Sequence, residues 1–236
     1  MFYQQSWHQL VRRLLQTVIF SFGFMQAPVL MAESAPEAVS EAPDALIQKA
    51  TDEIIVAIEE AKDYFSEDPA RFHAEIDRIL FPIVDFRSFA RGVMGKYGSR
   101  RYEASLGDQA AKDEFRNQVK RFTANFKQGL VATYAKGLLT FQGESIEVMP
   151  LDKEAVPGKN AIVVQSIEAD GKKPTLIRYK MRQNSNGEWK VRNVTLSSVN
   201  LGKVYSNQFA SAAKLYNGDI DKVISNWVVE SQEIEE

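Results

Sequence analysis

The sequence predicts an α+β fold with N-terminal helices, a four-stranded, mainly antiparallel twisted sheet, and C-terminal helices. Three observations predict it. Apolar residues recur at helical spacing from residue 46 to about residue 135, and again from residue 199 to residue 229. Between these stretches the apolar period falls to two, which is typical of strands that bury one face. Cysteine is absent from all 236 residues, so the fold depends on a hydrophobic core rather than on disulfide bonds.

Residues 1–32 have the features of a signal peptide. Arg12 and Arg13 precede an apolar run at residues 14–25, and no acidic residue occurs before this run ends. The run is shorter than the roughly 20 residues that a membrane-spanning helix needs. We therefore expect cleavage and export, with an uncleaved N-terminal anchor as the alternative. A flexible acidic leader is expected to follow at residues 33–44.

Four helices are predicted before the sheet. The first carries apolar residues at helical spacing from residue 46 to residue 61, and the second begins where Asp68 and Pro69 suit an N-cap and a first turn. The third covers residues 84–94. The fourth, at residues 108–135, is the longest and has one apolar face. That face consists of Phe115, Val119, Phe122, Phe126, Leu130 and Tyr134.

Four strands are predicted next. They cover residues 145–151, 160–169, 174–184 and 188–198. The dipeptides Asp170-Gly171 and Asn186-Gly187 are strong hairpin signals, so strands two to four are expected to form an antiparallel meander. The alternation slips near Asn193, which predicts a β-bulge. The inward positions of the third and fourth strands include Ile177, Tyr179, Met181, Val194 and Leu196.

Two C-terminal helices are predicted at residues 199–216 and 219–229. Tyr205 and Phe209 lie four residues apart in the first, so both face one side of it. Asp219 suits the N-cap of the second. We expect a single domain at residues 45–230 and a polar tail at residues 231–236.

The composition excludes several functional classes. Hydrophobic residues make up 44% of the chain and charged residues 25%, which are ordinary values for a globular protein. The formal net charge of -2 argues against a nucleic-acid partner, because proteins that bind the phosphate backbone normally carry a basic excess. Without cysteine, and with only two histidines, thiolate zinc sites, iron–sulfur clusters and His-rich metal centres are excluded. No cofactor, metal or catalytic residue is predicted.

The generous supply of apolar side chains leaves two interpretations open. The helix and sheet faces form either a close-packed core or a layer held open around an apolar ligand. An enzyme is the third possibility, with His73 and Asp77 as a proton relay on one helix. A surface helix pair is the simpler interpretation, because no nucleophile or second base is predicted beside it.

Three stretches together resemble a known family. The first is Asp85–Tyr97, the second is the long helix ending at Thr133-Tyr134, and the third begins at Trp189 and reaches Tyr205–Phe209. Their order and spacing resemble those of the MlaC family, also called the toluene-tolerance family. The resemblance covers roughly residues 46–229 and favours the open layer over the packed core.

The resemblance implies a lipid carrier without enzymatic activity. Members of this family are periplasmic proteins in which a twisted sheet and helices enclose a deep apolar pocket. The expected function is to move glycerophospholipids between an outer-membrane lipoprotein–porin complex and an inner-membrane ABC transporter complex, maintaining outer-membrane lipid asymmetry. Phospholipid is cargo rather than cofactor, and a monomer is expected. The alternatives are a ligand-free structural or interaction module and an enzyme on a sheet-and-helix cone.

Lipid contacts are expected from apolar and aromatic side chains on the inward faces. The expected contacts are Phe86, Phe89, Phe122, Phe126, Leu130, Tyr134, Ile177, Tyr179, Met181, Val194, Leu196, Tyr205 and Phe209. Two positions depart from the family pattern. Asn193 stands where an Asp is usual, and Ser206 stands where an Arg usually follows the tyrosine. No headgroup-binding residue is therefore assigned.

Overall fold

Most helices and strands lie close to their predicted positions in a computed structural model, which describes residues 41–151, 158–169, 171 and 173–230. The helices are α1 (Pro43–Ala61), α2 (Pro69–Leu80), α3 (Phe86–Val93), α4 (Arg100–Ser105), α5 (Gln109–Leu138), α6 (Leu201–Leu215) and α7 (Ile220–Ser225), with a 3₁₀ helix at Gly95–Gly98. The strands are β1 (Ser145–Val148), β2 (Asn160–Glu168), β3 (Thr175–Gln183), β4 (Trp189–Leu196) and β5 (Val199–Asn200). The predicted signal peptide, most of the acidic leader and the polar tail lie outside the described residues. Within the described ranges, no helix is both long enough and apolar enough to cross a membrane.

Aspartate side chains cap several helices, including both that the sequence predicts. The Asp68 carboxylate accepts a hydrogen bond from the backbone N–H of Arg71 at the start of α2, and Asp219 accepts one from Lys222 at the start of α7. Each cap satisfies a backbone donor that the first helical turn leaves without an intrahelical partner. These caps determine where both helices begin.

The third helix begins two residues later than predicted. Residues 83–85 instead run beside β4, where the N–H of Val191 donates to the carbonyl of Ile83 at 2.8 Å. The N–H of Asp85 in turn donates to the carbonyl of Val191 at 2.9 Å. These bonds hold the segment extended, so α3 begins only at Phe86.

The last helix ends earlier than predicted, at Ser225 rather than near residue 229. Side chains of α5 donate hydrogen bonds to carbonyls of this segment. Asn125 donates to Ile224 O at 3.0 Å, and Thr133 donates to Val229 O at 3.0 Å. Val229 also packs against Gly129, where a Cβ atom would stand only 2.5 Å from its side chain. These contacts favour the extended segment over a longer helix.

The described strands form one antiparallel sheet in the order β1-β2-β3-β4-β5, which confirms the predicted meander. The predicted bulge is also present: Lys180 pairs with Asn193 but Met181 pairs with Val191, so Arg192 is the extra residue. The strand count differs by one. Residues 199–200 pair with the end of β4 as the short β5, and α6 begins directly after them.

Three groups of buried apolar side chains form the core. A helical cluster joins α3, α5, α6 and α7. A second cluster lies between α1, α2 and the C-terminal half of α5. A third joins α1 to the inner face of the sheet, which is the face that carries Val163 and Met181. Val84 contacts all three clusters, and Val194 links the helical cluster to the sheet.

Candidate functional site

The thirteen residues predicted to contact lipid lie in two settings. Seven are buried in the helical cluster: Phe86, Phe89, Phe122, Phe126, Leu130, Tyr205 and Phe209. Tyr134 and Val194 are half-buried against that cluster. Met181 is buried, and Tyr179 half-buried, on the inner face of the sheet. Ile177 and Leu196 pair across β3 and β4 and are half-buried.

The aromatic rings of the helical cluster are packed against one another. Phe122 stacks on Phe126 with centroids 5.7 Å apart, and its ring meets those of Phe209 and Trp227 in edge-on contacts at 4.9 and 5.1 Å. The ring of Tyr205 meets Phe126 in the same way at 5.5 Å. Such edge-on and stacked pairs are the favourable geometries for aromatic side chains. This part of the layer is a close-packed core, and Trp227 belongs to it although it was not among the predicted lipid contacts.

The inner face of the sheet changes in burial along its length. Near the bulge, Val163, Met181 and Val191 are at most 2% exposed and pack with Trp189 and Ile47. Further along the same face, Tyr179 pairs with Val194 and Ile177 pairs with Leu196, and all four are half-buried. β3 is an internal strand, flanked by β2 and β4. The inner face is therefore closed at one end and only partly covered at the other.

A chain of hydrogen bonds satisfies the polar groups within the inner face. The Tyr179 hydroxyl donates to Gln165 Oε1 at 2.7 Å, and Gln165 Nε2 donates to Thr51 Oγ1 at 2.7 Å. The Thr51 hydroxyl donates to the carbonyl of Ile47 at 2.9 Å. Burial raises the pKa of Tyr179, so its phenol stays neutral and can donate at neutral pH. The polar side chains of this hydrogen-bond chain are therefore all uncharged at neutral pH.

Thr51 and Gln165 were not predicted as part of this site. Gln165 pairs with Ile177 in the β2–β3 register, so its position on the inward face follows from strand parity. A polar side chain at an inward position of an otherwise apolar strand is the signal that identifies it. Thr51, on α1, is recognisable only once the helix is packed on the sheet.

A second polar contact holds the end of the described chain against the helices. The hydroxyls of Tyr134 and Tyr205 are 2.8 Å apart, and Tyr205 donates to the carbonyl of Glu230 at 3.2 Å. Because Tyr205 uses its own proton on that carbonyl, Tyr134 is the donor between the two hydroxyls. Burial raises the pKa of both phenols. Tyr205 is fully buried and so fixes α6 to α5 and to the C-terminal segment.

Asn193, one of the two departures from the family pattern, has an intramolecular role. Its Oδ1 accepts hydrogen bonds from the N–H groups of Val194 and Gly202, both at 2.9 Å. Its Nδ2 donates at 2.9 Å to Asn200 Oδ1, which also accepts from the N–H of Lys203 as the N-cap of α6. Asn193 therefore holds the start of α6 against β4.

Replacing Asn193 by alanine is expected to lower the free energy of unfolding by about 1–3 kcal/mol, because two backbone donors lose their acceptor. Urea denaturation is the measurement. Thr195→Ala, two residues along the same strand and without a described side-chain hydrogen bond, is the matched control and should change stability little. Equal stability of both variants would contradict this role.

Ser206, the second departure, lies in a cleft between the 3₁₀ helix and α6. The cleft has a volume of about 610 Å³, and Lys96 and Lys214 are among its lining residues. A second cleft of about 540 Å³ lies between the α2–α3 connection and α5, and Arg87 and Lys120 are among the cations that line it. No residue of β1–β5 lines either cleft, although Val84, which lines the second, also packs against the cluster on the inner face of the sheet.

The geometry gives little support to the proton relay. Asp77 Oδ2 accepts from Lys127 Nζ at 2.8 Å, so the carboxylate pairs with α5 rather than with His73. The His73 ring instead lies edge-on to Phe65 at 6.3 Å. In the part of the chain that the structure describes, no three His, Asp or Glu side chains gather in a group that could hold a metal ion.

Comparisons with known proteins give one consistent result. The family model described as MlaC protein matches residues 48–228. Toluene tolerance protein ttg2D of Pseudomonas putida is 31% identical over 191 residues, covering 81% of this chain and 82% of that protein. The intermembrane phospholipid transport system binding protein MlaC of Haemophilus influenzae is 25% identical over 163 residues, covering 67% of this chain and 69% of that protein.

A solved structure confirms the predicted fold class. It is the phospholipid-binding protein from Ralstonia solanacearum, determined in complex with a phospholipid. Its TM-score to this chain is 0.64 at 20% sequence identity, and the match covers 78% of this chain and 94% of that chain. At this identity the likeness concerns the arrangement of helices and strands.

Proposed function

Because the chain belongs to the MlaC family, as its motifs predicted, we propose that it is a phospholipid-binding carrier of the periplasm. A family match that extends over residues 48–228 includes the described strands and, apart from the first five residues of α1, the described helices. The relative from Haemophilus influenzae carries phospholipid transport in its name, and the Ralstonia solanacearum structure contains a phospholipid. These relatives support lipid as the cargo of this chain.

The observation that carries the proposal is the partly covered end of the inner face. Ile177 and Leu196 are aliphatic side chains on internal strands, and they point to the side of the sheet on which Met181 is fully buried. In a filled core such positions are buried, because interiors pack as densely as organic crystals. An acyl chain laid along this end of the sheet would complete their burial.

The burial of each predicted contact residue separates those that would touch lipid from those that would support the site. We propose that the half-buried side chains Tyr134, Ile177, Tyr179, Val194 and Leu196 contact the acyl chains directly. Met181 would form the closed end of the site. The seven buried members of the helical cluster would act as a rigid wall behind it, since their rings already contact one another.

The energetics suit a carrier that exchanges cargo only at a membrane or a membrane complex. Each buried methylene is worth about 0.8 kcal/mol, so exposing two acyl chains to water would cost on the order of 20 kcal/mol. Transfer between a bilayer and an apolar pocket is nearly isoenergetic by comparison, because both environments are apolar. Such a protein needs no catalytic group and no cofactor.

Family membership also supports a finer proposal. The protein would be exported by its signal peptide, act as a monomer, and move glycerophospholipids between an outer-membrane lipoprotein–porin complex and an inner-membrane ABC transporter complex. This traffic would maintain the lipid asymmetry of the outer membrane.

Protein purified from a bacterial periplasm is expected to contain phospholipid, because the partly covered apolar face needs a partner when no membrane is present. Organic extraction followed by mass spectrometry measures the cargo, and an exported protein of similar size without an apolar cavity is the control. A lipid-free preparation that also refuses added phospholipid would contradict the carrier and favour a ligand-free module.

A further inference from the structure

The outer face of the sheet carries a row of exposed cations. Arg178, Lys180 and Arg182 alternate along β3 on the side opposite the inner face, and all three are exposed. Successive members lie about 6.8 Å apart, the length of two residues of a strand. Arg178 donates to the carbonyl of Ser197, but among the described residues none of the three forms an ion pair.

No carboxylate stands directly across from this row. Opposite the three cations on β4 are Thr195, Asn193 and Lys190, of which Lys190 pairs with Glu188 at 3.2 Å. On β2 the opposite residues are Val164, Ile162 and Asn160. Besides Glu188, the acidic side chains of this sheet face among the described residues are Glu147 on β1 and Glu168 at the far end of β2. The face is therefore locally basic in a chain whose formal net charge is -2.

An exposed apolar strip runs beside the cations. Ile162 is 58% exposed and pairs with Lys180, while the half-buried Val164 pairs with Arg178. Met149, which follows β1, is 41% exposed, and its N–H donates to the carbonyl of Val164. The solvent face of an antiparallel sheet is normally polar, so these aliphatic side chains are unusual there.

We propose that this face, defined by the apolar strip of Met149, Ile162 and Val164 and the cation row on β3, docks on a bilayer that contains anionic phospholipid. Long basic side chains can reach headgroup phosphates while neighbouring aliphatic side chains enter the boundary below them. A bilayer suits this face because exposed cations and aliphatic side chains stand side by side on it, and neither of the two described clefts, which lie among the helices, opens on it. Docking here leaves the inner face free for cargo.

Vesicle binding by the processed, exported protein tests the proposal. We expect binding to vesicles of phosphatidylcholine with phosphatidylglycerol, and much weaker binding to phosphatidylcholine alone. The triple variant Arg178→Gln, Lys180→Gln, Arg182→Gln should bind the anionic vesicles about 100-fold more weakly, because each basic residue near such a surface contributes roughly a fivefold factor. Ile162→Ser should weaken the binding that remains at high salt.

A charge-matched control separates this face from net charge. Arg100→Gln, Arg101→Gln, Lys136→Gln removes three exposed cations from helices and should leave vesicle binding within about twofold of the unchanged protein, since no sheet contact is lost. Equal losses in both triple variants, or equal binding to neutral and anionic vesicles, would overturn the proposal. The proposal would also be overturned if an acidic protein partner required the β3 cations for binding and vesicle binding did not require them. Phospholipid occupancy, measured by mass spectrometry on the same samples, tests the carrier function separately and should be unchanged in all variants.

Discussion

Replacing both Ile177 and Leu196 by tryptophan is expected to lower the affinity for phospholipid about 100-fold, with little change in thermal stability. The two residues pair across β3 and β4 at the partly covered end of the inner face. If the two indoles displace four methylenes of an acyl chain, the loss at 0.8 kcal/mol each is about 3 kcal/mol, which corresponds to roughly two powers of ten in affinity. Because Ile177 and Leu196 are only half-buried, the larger tryptophan rings have room on the side where the cargo would lie, so stability should change little.

The measurement pairs lipid occupancy with a melting curve. Ile162→Trp, on the opposite face of the same sheet and 58% exposed, is the matched control, and it should retain normal occupancy. Overpacking a filled core typically costs about 1–3 kcal/mol of stability. A double variant with a lower melting temperature and normal occupancy would therefore place Ile177 and Leu196 in an ordinary core and contradict the proposed site.

Periodicity and capping predict most of the elements because they are local properties of the chain. The Asp68 and Asp219 caps, the meander and the bulge near Asn193 all follow from residues that are neighbours in sequence or across a hairpin. The features that were not predicted have different causes. β5 pairs with the end of β4 across a tight turn, and α4 is a short helix that Ser99 caps. Residues 83–85 are extended because Val191, which is distant in sequence, bonds to them.

The candidate site was only partly predictable for the same reason. Strand parity identifies Ile177, Tyr179 and Met181 as one face, and all three lie on the inner face. Parity cannot distinguish the buried Met181 from the half-buried Ile177, because that difference depends on how far α1 and the helical cluster extend over the sheet. The Thr51–Gln165 hydrogen bond joins residues 114 positions apart, and no local pattern indicates it.

The fold therefore contains two kinds of apolar surface, one fully packed and one partly covered. The helical cluster is complete by itself: Phe122 has three aromatic neighbours and no exposed surface. In the proposed carrier, cargo would complete the burial of the partly covered end of the sheet. The rigid wall beside it would let cargo enter and leave without a reorganisation of the core, since densely packed side chains resist small displacements.

Phe122→Ala is accordingly expected to destabilise the protein by about 3–5 kcal/mol, the range for deleting a large aromatic side chain from a close-packed core. The ring loses its stacked contact with Phe126 and its edge-on contacts with Phe209 and Trp227. Phe81→Ala is the matched control, because Phe81 is 67% exposed and surface substitutions usually change stability by about 0.5 kcal/mol or less. Urea denaturation gives the free energies, and lipid extraction at a temperature where both variants are folded gives the occupancy.

A folded Phe122→Ala protein should retain its phospholipid, because the substitution damages the helical cluster behind the site rather than the site itself. A stable variant that has lost its cargo would show instead that the acyl chains reach into the helical cluster. The division between a rigid wall and a partly covered face would then be wrong.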